Sequence, residues 1–339
     1  MKTILVTGGV GYIGSHTVVE LLKNEDYEVI ILDNFCNSKR GIIGRISEIS
    51  KRDFVVFDNN CCDDLEHIFS KHKIDGVIHF AALKAVGESV LSPLEYYDNN
   101  INSLINILKY CKKYDVSSFV FSSSCSLYGN LKELPAHEES PLSEPESPYA
   151  YTKLMGEQIL KDLSKVSDMK IIALRYFNPV GAHESGLIGE LPINKPNNII
   201  PVICNSVDTG EEMMVFGGDY NTRDGSCIRD YVHVSDIANA HVLSLRNLDS
   251  DESISYDVYN LGLGIGNRFD KEGLTVLEVI KSFEEVNNVK VNYKIGDRRE
   301  GDIVEIYSNS TKSRKIGWKP ERTVDDMVSS AWKWHKNKI

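Results

Sequence analysis

The sequence predicts an α/β fold, a doubly wound parallel sheet with a smaller C-terminal α/β lobe. Three observations carry that prediction. A short apolar run, a glycine-rich turn and a helical segment open the chain, which is the first half of a βαβ unit. Strand-length apolar runs then alternate with helix-length segments through the first half of the chain. The chain has 339 residues, enough for one large α/β unit with an appended lobe.

The elements follow in order. Thr3–Thr7 reads as a buried strand, Gly8-Gly9-Val10-Gly11-Tyr12-Ile13-Gly14 as the turn, and the segment through Lys23 as helix. Gly8 permits a tight turn, Gly11 lets backbone approach a pyrophosphate, and Gly14 lets the helix pack on the strand. A second strand, Val29–Leu32, ends in Asp33, about twenty residues on, where a carboxylate bonds adenosine ribose hydroxyls. That carboxylate would repel a 2′-phosphate, which favours NAD over NADP. Phe54–Phe57 is a third strand ending in Asp58, and Asp64–His72 reads as helix. Val77–Phe80 is a fourth strand, leading into Ala81-Ala82-Leu83-Lys84. A long helix, Pro93–Tyr114, precedes a fifth strand, Phe119–Ser122, that runs into Ser123-Ser124. Ligands of such sheets sit at the carboxyl ends of the strands. Gly14, Asp33, Asp58, Phe80, Lys84 and Ser124 all follow strand ends and therefore share one edge.

Ser147 is a good helix N-cap and Pro148 suits the first helical position. The helix runs through Lys165 and puts Tyr149 and Lys153, four apart, on one face. A free tyrosine titrates near 10. A neighbouring ammonium and a helix N-terminus stabilise the phenolate, so the spacing predicts a value pulled towards neutrality and a general base. Taken alone, Y-x-x-x-K is a common surface pair; the serine-ended strand before it is what gives it weight. Strand Lys170–Arg175 comes next, then Tyr176-Phe177-Asn178-Pro179.

From Gly181 to Asn198 the chain turns rich in Gly, Pro and Asn, and the domain change is placed there. Residues 1–180 form the dinucleotide-binding domain and 181–339 the second lobe, with segments near 230–262 returning to the first. The second lobe holds a helix around Pro201–Val207, strand Met213–Phe216, helix Ser235–Leu245 and strand Tyr256–Leu261. Helix Thr275–Val286, strand Val289–Ile295 and a C-terminal helix with Met327, Trp332 and Trp334 complete it.

Composition excludes several classes. Asp and Glu number 49 against 38 Lys and Arg, a net charge of −11. That argues against nucleic acid and against an anionic membrane face, and an anionic substrate would need local arginines. No apolar run reaches transmembrane length. No signal peptide is expected, because a strand-like segment begins at Lys2. Seven scattered cysteines lack CxxC or Cys/His zinc spacing. They predict no metal and read as reduced thiols of a cytoplasmic protein.

The serine past strand five, the YxxxK one helix later and the opening glycines resemble the extended short-chain dehydrogenase/reductase superfamily, with its Rossmann fold. Longer blocks resemble its UDP-glucose (UDP-galactose) 4-epimerase branch. They are Gly8–His16, Leu32-Asp33-Asn34, His79–Ser89, Tyr96-Tyr97-Asp98-Asn99-Asn100, Leu174–His183, Arg229–Val234 and Arg298-Arg299-Glu300-Gly301-Asp302. The resemblance implies that Tyr149 is the base, Lys153 its activator and a ligand of the nicotinamide ribose, and Ser124 a second partner of the sugar 4′-hydroxyl. It implies NAD contacts at Tyr12, Ile13, Asp33, Asn34, Asn37, Ser38, Asp58, Asn59, Phe80, Ala81, Lys84, Asn99 and Phe177. The UDP half falls to Asn178, Asn198, Phe216, Arg229, Arg299 and Asp302. Arginines suit a diphosphate because they offer planar, two-point donation; surface ion pairs for the arginines and a core role for Phe216 are the alternatives.

The implied reaction oxidises C4 of a UDP-sugar, turns the 4-keto sugar over and re-reduces it on the other face, so UDP-glucose and UDP-galactose interconvert. N-acetylated UDP-sugars are the alternative substrates, since Ile306 stands at the position that limits space at C2. Related dehydratases carry an Asp-Glu pair just after the serine segment, where this chain has Cys125-Ser126-Leu127. A net dehydrogenase or a silent NAD-binding regulator are the other rivals. Asn59 replaces the usual aliphatic residue after Asp58. A homodimer through Pro93–Tyr114 and Pro148–Lys165 is implied by the resemblance alone.

Overall fold

Runs of Val, Ile and Leu with no polar face can only be strands covered on both sides, and they build one parallel sheet. The computed structural model describes residues 1–142, 144–193, 196–264, 271–299 and 302–338. Its first half comprises β1 (Lys2–Thr7), α1 (Tyr12–Leu22), β2 (Tyr27–Asp33), α2 (Gly41–Ser50), β3 (Val55–Asp58), α3 (Glu66–Phe69) and β4 (Gly76–His79). There follow α4 (Val86–Leu91), α5 (Pro93–Lys113), β5 (Ser118–Ser124), α6 (Pro148–Leu163), β6 (Lys170–Tyr176) and β7 (Asn178–Val180). Next come α7 (Ile199–Thr209), β8 (Met213–Phe216), β9 (Ile228–Arg229), β10 (Tyr231–His233), α8 (Val234–Ser250) and β11 (Tyr256–Leu261). The last elements are β12 (Leu274–Thr275), α9 (Val276–Asn287), β13 (Tyr293–Gly296), β14 (Glu305–Ile306) and α10 (Val324–Asn337).

The main sheet runs β11-β6-β5-β4-β1-β2-β3, parallel throughout. The chain leaves β1 in one direction and returns to β4 to continue in the other. The order reverses between β1 and β4, and a crevice opens there beyond the carboxyl ends. One face packs Val18, Leu21, Val120, Ile237 and Leu245 beneath α1 and α8. The other packs Leu104, Leu108, Phe119 and Leu160 beneath α5 and α6. Ile203, Phe283 and Met327 centre a separate core in the second lobe, where α7, α9 and α10 meet. Although it comes late in the chain, β11 pairs with β6, Tyr256 opposite Ile171. The two-stranded β7–β10 ladder, Asn178 opposite Tyr231, brings the chain back beside the sheet edge.

Local sequence departs from expectation in a few places. The helix expected over Asp64–His72 is only Glu66–Phe69, because the Asp64 carboxylate takes the Glu66 N–H and delays the start. The strand expected over Val289–Ile295 is reduced to Tyr293–Gly296, the length that β8 can pair. Two helices, α2 and α4, form where no element was expected. Helix α9 begins later than Thr275 because that residue is its N-cap, in a reciprocal capping box with Glu278.

Candidate active site

The glycine turn is built for close backbone approach. Gly8 has φ +69°, and a side chain there would meet the Ala81 backbone. A Cβ on Gly14 would stand 2.2 Å from the Gly8 carbonyl oxygen, so α1 lies directly on the turn. Gly11 is the N-cap of α1, and no side chain caps that end. The first turn of α1, from Tyr12 to Gly14, therefore presents backbone N–H groups and the positive end of the helix dipole, the arrangement that binds a pyrophosphate. Asp33 closes the turn from β2: its carboxylate accepts N–H from Val10 and Phe35, each at 2.9 Å, and the Ser38 hydroxyl at 2.9 Å. A carboxylate has further acceptor sites for ribose hydroxyls. Asn34 and Asn37 are exposed beyond it, and Asp58 pairs with Arg40. The Asn59 N–H reaches the Asp33 carbonyl at 3.3 Å, so its backbone position is fixed beside Asp33. These residues fit NAD.

Other expected contacts are committed to the protein. The Tyr12 hydroxyl donates to the Gly181 carbonyl at 2.6 Å, tying α1 to the chain just past β7. Ile13 packs against the core under α1. The Phe80 ring lies tilted against His241 with centres 4.6 Å apart; His241 Nδ1 donates to the Ile237 carbonyl, so its Nε2 accepts the Tyr176 hydroxyl. Ala81 N–H donates to the Thr7 hydroxyl. Phe177 is 2% exposed, sealed with Tyr128, Ala136 and Ile306, so its ring is core rather than cleft wall. Asn99 donates to the Asn100 side chain at 2.9 Å. Asn100, which sequence reasoning passed over, binds both N–H and C=O of Leu83 and donates to Thr152 on α6. It was findable as a polar residue one turn after Tyr96 on the buried face of α5.

Ser147 caps α6 through the Ala150 N–H, as its sequence position predicts. Tyr149, Lys153 and Ser124 meet at the carboxyl end of β5. The Lys153 ammonium donates to the Ser122 carbonyl at 2.7 Å and lies 5.9 Å from the Tyr149 ring centre. The expected drop of the Tyr149 phenol towards neutrality is reversed. Burial pushes it up to about 12, a hydrogen bond with Ser124 opposes this, and Cys125 adds to the rise. Desolvation prevails because Lys153 is turned to the Ser122 carbonyl. Burial also lowers Lys153, to about 8, against the pull of the Glu157 carboxylate.

The second half of the site comes together from three distant segments. Asp302 accepts from Arg229 at 3.0 Å and from Arg299 at 3.3 Å. The Arg299 guanidinium lies 5.4 Å from the Phe216 ring centre, and Phe216 is 42% exposed. The core alternative for Phe216 is thereby removed. Asn178 donates twice to the Asp230 carbonyl, which seats Arg229 next to the end of β6. Cys125, the residue after Ser124, feels the charges of both Arg229 and Asp230 and itself raises Tyr149. Glu190, also missed, accepts from Asn198 at 2.6 Å and pairs with Lys84 at 3.5 Å, joining an expected NAD contact to an expected UDP contact. Glu300 and Gly301 lie outside the described residues. Among the described residues no His, Cys, Asp or Glu group could hold a metal.

Residues 4–262 match the model of the NAD dependent epimerase/dehydratase family. The chain belongs to this family. It is 45% identical to the UDP-glucose 4-epimerase of Haemophilus influenzae over 98% of its length and 97% of that protein's. Identity to the Bacillus subtilis UDP-glucose 4-epimerase is 43%, over 99% and 97%. Among solved structures, the Stenotrophomonas maltophila UDP-glucose 4-epimerase with bound NAD and formylated UDP-arabinopyranose superposes with a TM-score of 0.94 at 41% identity, covering 99% and 98% of the two chains. The Bifidobacterium longum enzyme in complex with NAD+ and UDP gives 0.91 at 44% identity, with the same coverage. Family membership extends the match beyond the Rossmann half, because these relatives also cover the lobe that carries Phe216, Arg229 and Asp302.

Proposed function

We propose that the protein is an NAD-dependent UDP-glucose 4-epimerase, interconverting UDP-glucose and UDP-galactose. The observation that carries this is that one chain holds both the Ser124–Tyr149–Lys153 group at the carboxyl end of β5 and the Arg229–Asp302–Arg299 cluster. Relatives at 43–45% identity over nearly the whole chain bear that enzyme's name, which favours it over the N-acetylated alternative. Bound NAD supplies reversible hydride acceptance at C4 of the hexose, so configuration inverts there with no net redox change. The glycine turn, Asp33 and Lys153 hold the cofactor. Tyr149, in its phenolate form, takes the proton of the 4′-hydroxyl and gives it back, while Ser124 orients both groups. Arg229 and Arg299 neutralise the diphosphate, Asp302 takes the uridine ribose and Phe216 flanks the base. Anchoring through the UDP moiety leaves the hexose free to turn over. The test is to offer UDP-galactose to purified protein without added NAD and couple UDP-glucose to its dehydrogenase. Absence of product, or release of no dinucleotide on denaturation, overturns the reading.

The division at residue 180 follows from the same assignment, with the assigned cofactor contacts before it and, apart from Asn178, the assigned UDP contacts after it. A cytoplasmic homodimer completes the proposal. The described cysteines are all unpaired thiols, and no described helix is long and apolar enough to cross a membrane. Leu91, the last residue of α4, and Leu94, at the start of α5, are 85% and 82% exposed, and Met155 is exposed on α6, as a helix-pairing face requires. Light scattering on the purified protein tests the stoichiometry.

A further inference from the structure

Helix α6 lies along the end of β5 so that three residues, one turn apart, meet three consecutive serines. Tyr149 bonds Ser124, Lys153 donates to the Ser122 carbonyl, and the Ser123 hydroxyl donates to Glu157. Glu157 is the third residue on the face that carries Tyr149 and Lys153. Its side chain is 6% exposed and that of Arg175, on β6, is 5%. Arg175 grips the carboxylate with Nε at 2.9 Å and Nη2 at 2.6 Å. Its other nitrogen donates to the Tyr128 hydroxyl at 2.9 Å and the Glu138 carbonyl at 3.2 Å. Burying an ion pair this deeply brings a desolvation penalty that well-packed apolar residues avoid, so packing alone does not account for it. Lys153, Glu157 and Arg175 put two cations and one anion in one dry layer. Removing the anion would leave two buried cations without it as a counter-charge.

We propose that Glu157, fixed by Arg175, is a positioning residue for the reaction, the counter-charge that keeps Lys153 an ammonium and in register beneath Tyr149. This rests on the epimerase reading above. Several titratable groups face the layer. Tyr149 stands on α6, His79 on β4, Tyr176 on β6 and Tyr256 on β11, the last bonded to Glu157; Cys125 adjoins Tyr149. His79 is held neutral by burial, with Nδ1 on the Thr7 hydroxyl, so it supplies no competing charge near pH 7.

The experiment uses full-length protein labelled with 13Cε-lysine, with Lys153→Met to identify the Lys153 resonance. In the parent that resonance should titrate near pH 8, burial having lowered it from the usual lysine range. In Glu157→Gln it should titrate about one unit lower. The basic limb of kcat should fall with it, while KM for UDP-galactose changes by less than about twofold. A purely structural Glu157 would lower the melting temperature and leave both midpoints in place, which overturns the proposal. Should Glu157→Gln not fold, Glu157→Asp draws the carboxylate back by one methylene. Its midpoint should move the same way by less, and an unmoved midpoint overturns the idea equally. Lack of epimerase activity in the parent would sink the functional reading, whereas the lysine titration would still judge the pair.

Discussion

Tyr149 shows how burial and charge compete at one atom. Its phenol is pushed up to about 12, so the protein alone holds it as the neutral acid. Tyr149→Phe keeps the ring and its packing but removes the proton acceptor. Turnover should fall on the order of 100-fold or more. Dinucleotide released on denaturation should match the parent, measured by absorbance after removal of the protein; loss of the cofactor would mean that the residue holds NAD rather than moves a proton. Arg229 bears on affinity instead. A hydrogen bond to a charged group contributes about 1.5–3 kcal/mol, so Arg229→Met should raise KM for UDP-galactose about 10- to 100-fold with kcat little changed. An unchanged KM in steady-state assays would leave Arg229 as no more than the ion-pair partner of Asp302.

At the level of elements, the junction of β1 and α1 has the least slack. A methyl group on Gly14 would stand 2.2 Å from the Gly8 carbonyl, and the clash is with backbone that cannot rotate away. Gly14→Ala should therefore displace α1 from the turn, lower the melting temperature and reduce the dinucleotide content of purified protein. Full NAD content in that variant would show the helix to be less tightly seated than the geometry indicates. The strands of the main sheet were legible because most are short runs buried on both faces, bounded by glycine or polar residues, although β3 at the edge is not buried. Helix α2, GIIGRISEIS, was not: two glycines interrupt it, and only Ile42 and Ile46 are buried. The Asp302 cluster could be named by resemblance, but not its geometry, since Arg229 and Asp302 meet only once β9 and β14 pair. Glu157 and Arg175 were invisible for a similar reason. Nothing in the spacing of α6 reveals that β6 will lay a guanidinium beside it.

Across the whole molecule, acid is the expected weakness. His16, His79, His233 and His241 are each lowered to about 3 by burial, on four different elements. In an unfolded chain they titrate near 6.5. Between those values the unfolded chain binds more protons, so stability is complete above pH 6.5 and drains away as pH falls towards 3. From pH 6.5 to 5.5 the loss is about 1 kcal/mol per histidine, about 4 kcal/mol for the set. Urea midpoints should be nearly flat above pH 7 and drop steeply below 6.5; a flat course to pH 5 would mean that these imidazoles are not held neutral. The position of β11 has a consequence for synthesis. A ribosome delivers β6 well before β11, so the nascent sheet must wait with β6 as a bare, adhesive margin. Amino-terminal fragments that stop short of β11 should call on chaperones or precipitate, and their release from the ribosome should become productive only once that last strand has cleared the exit tunnel.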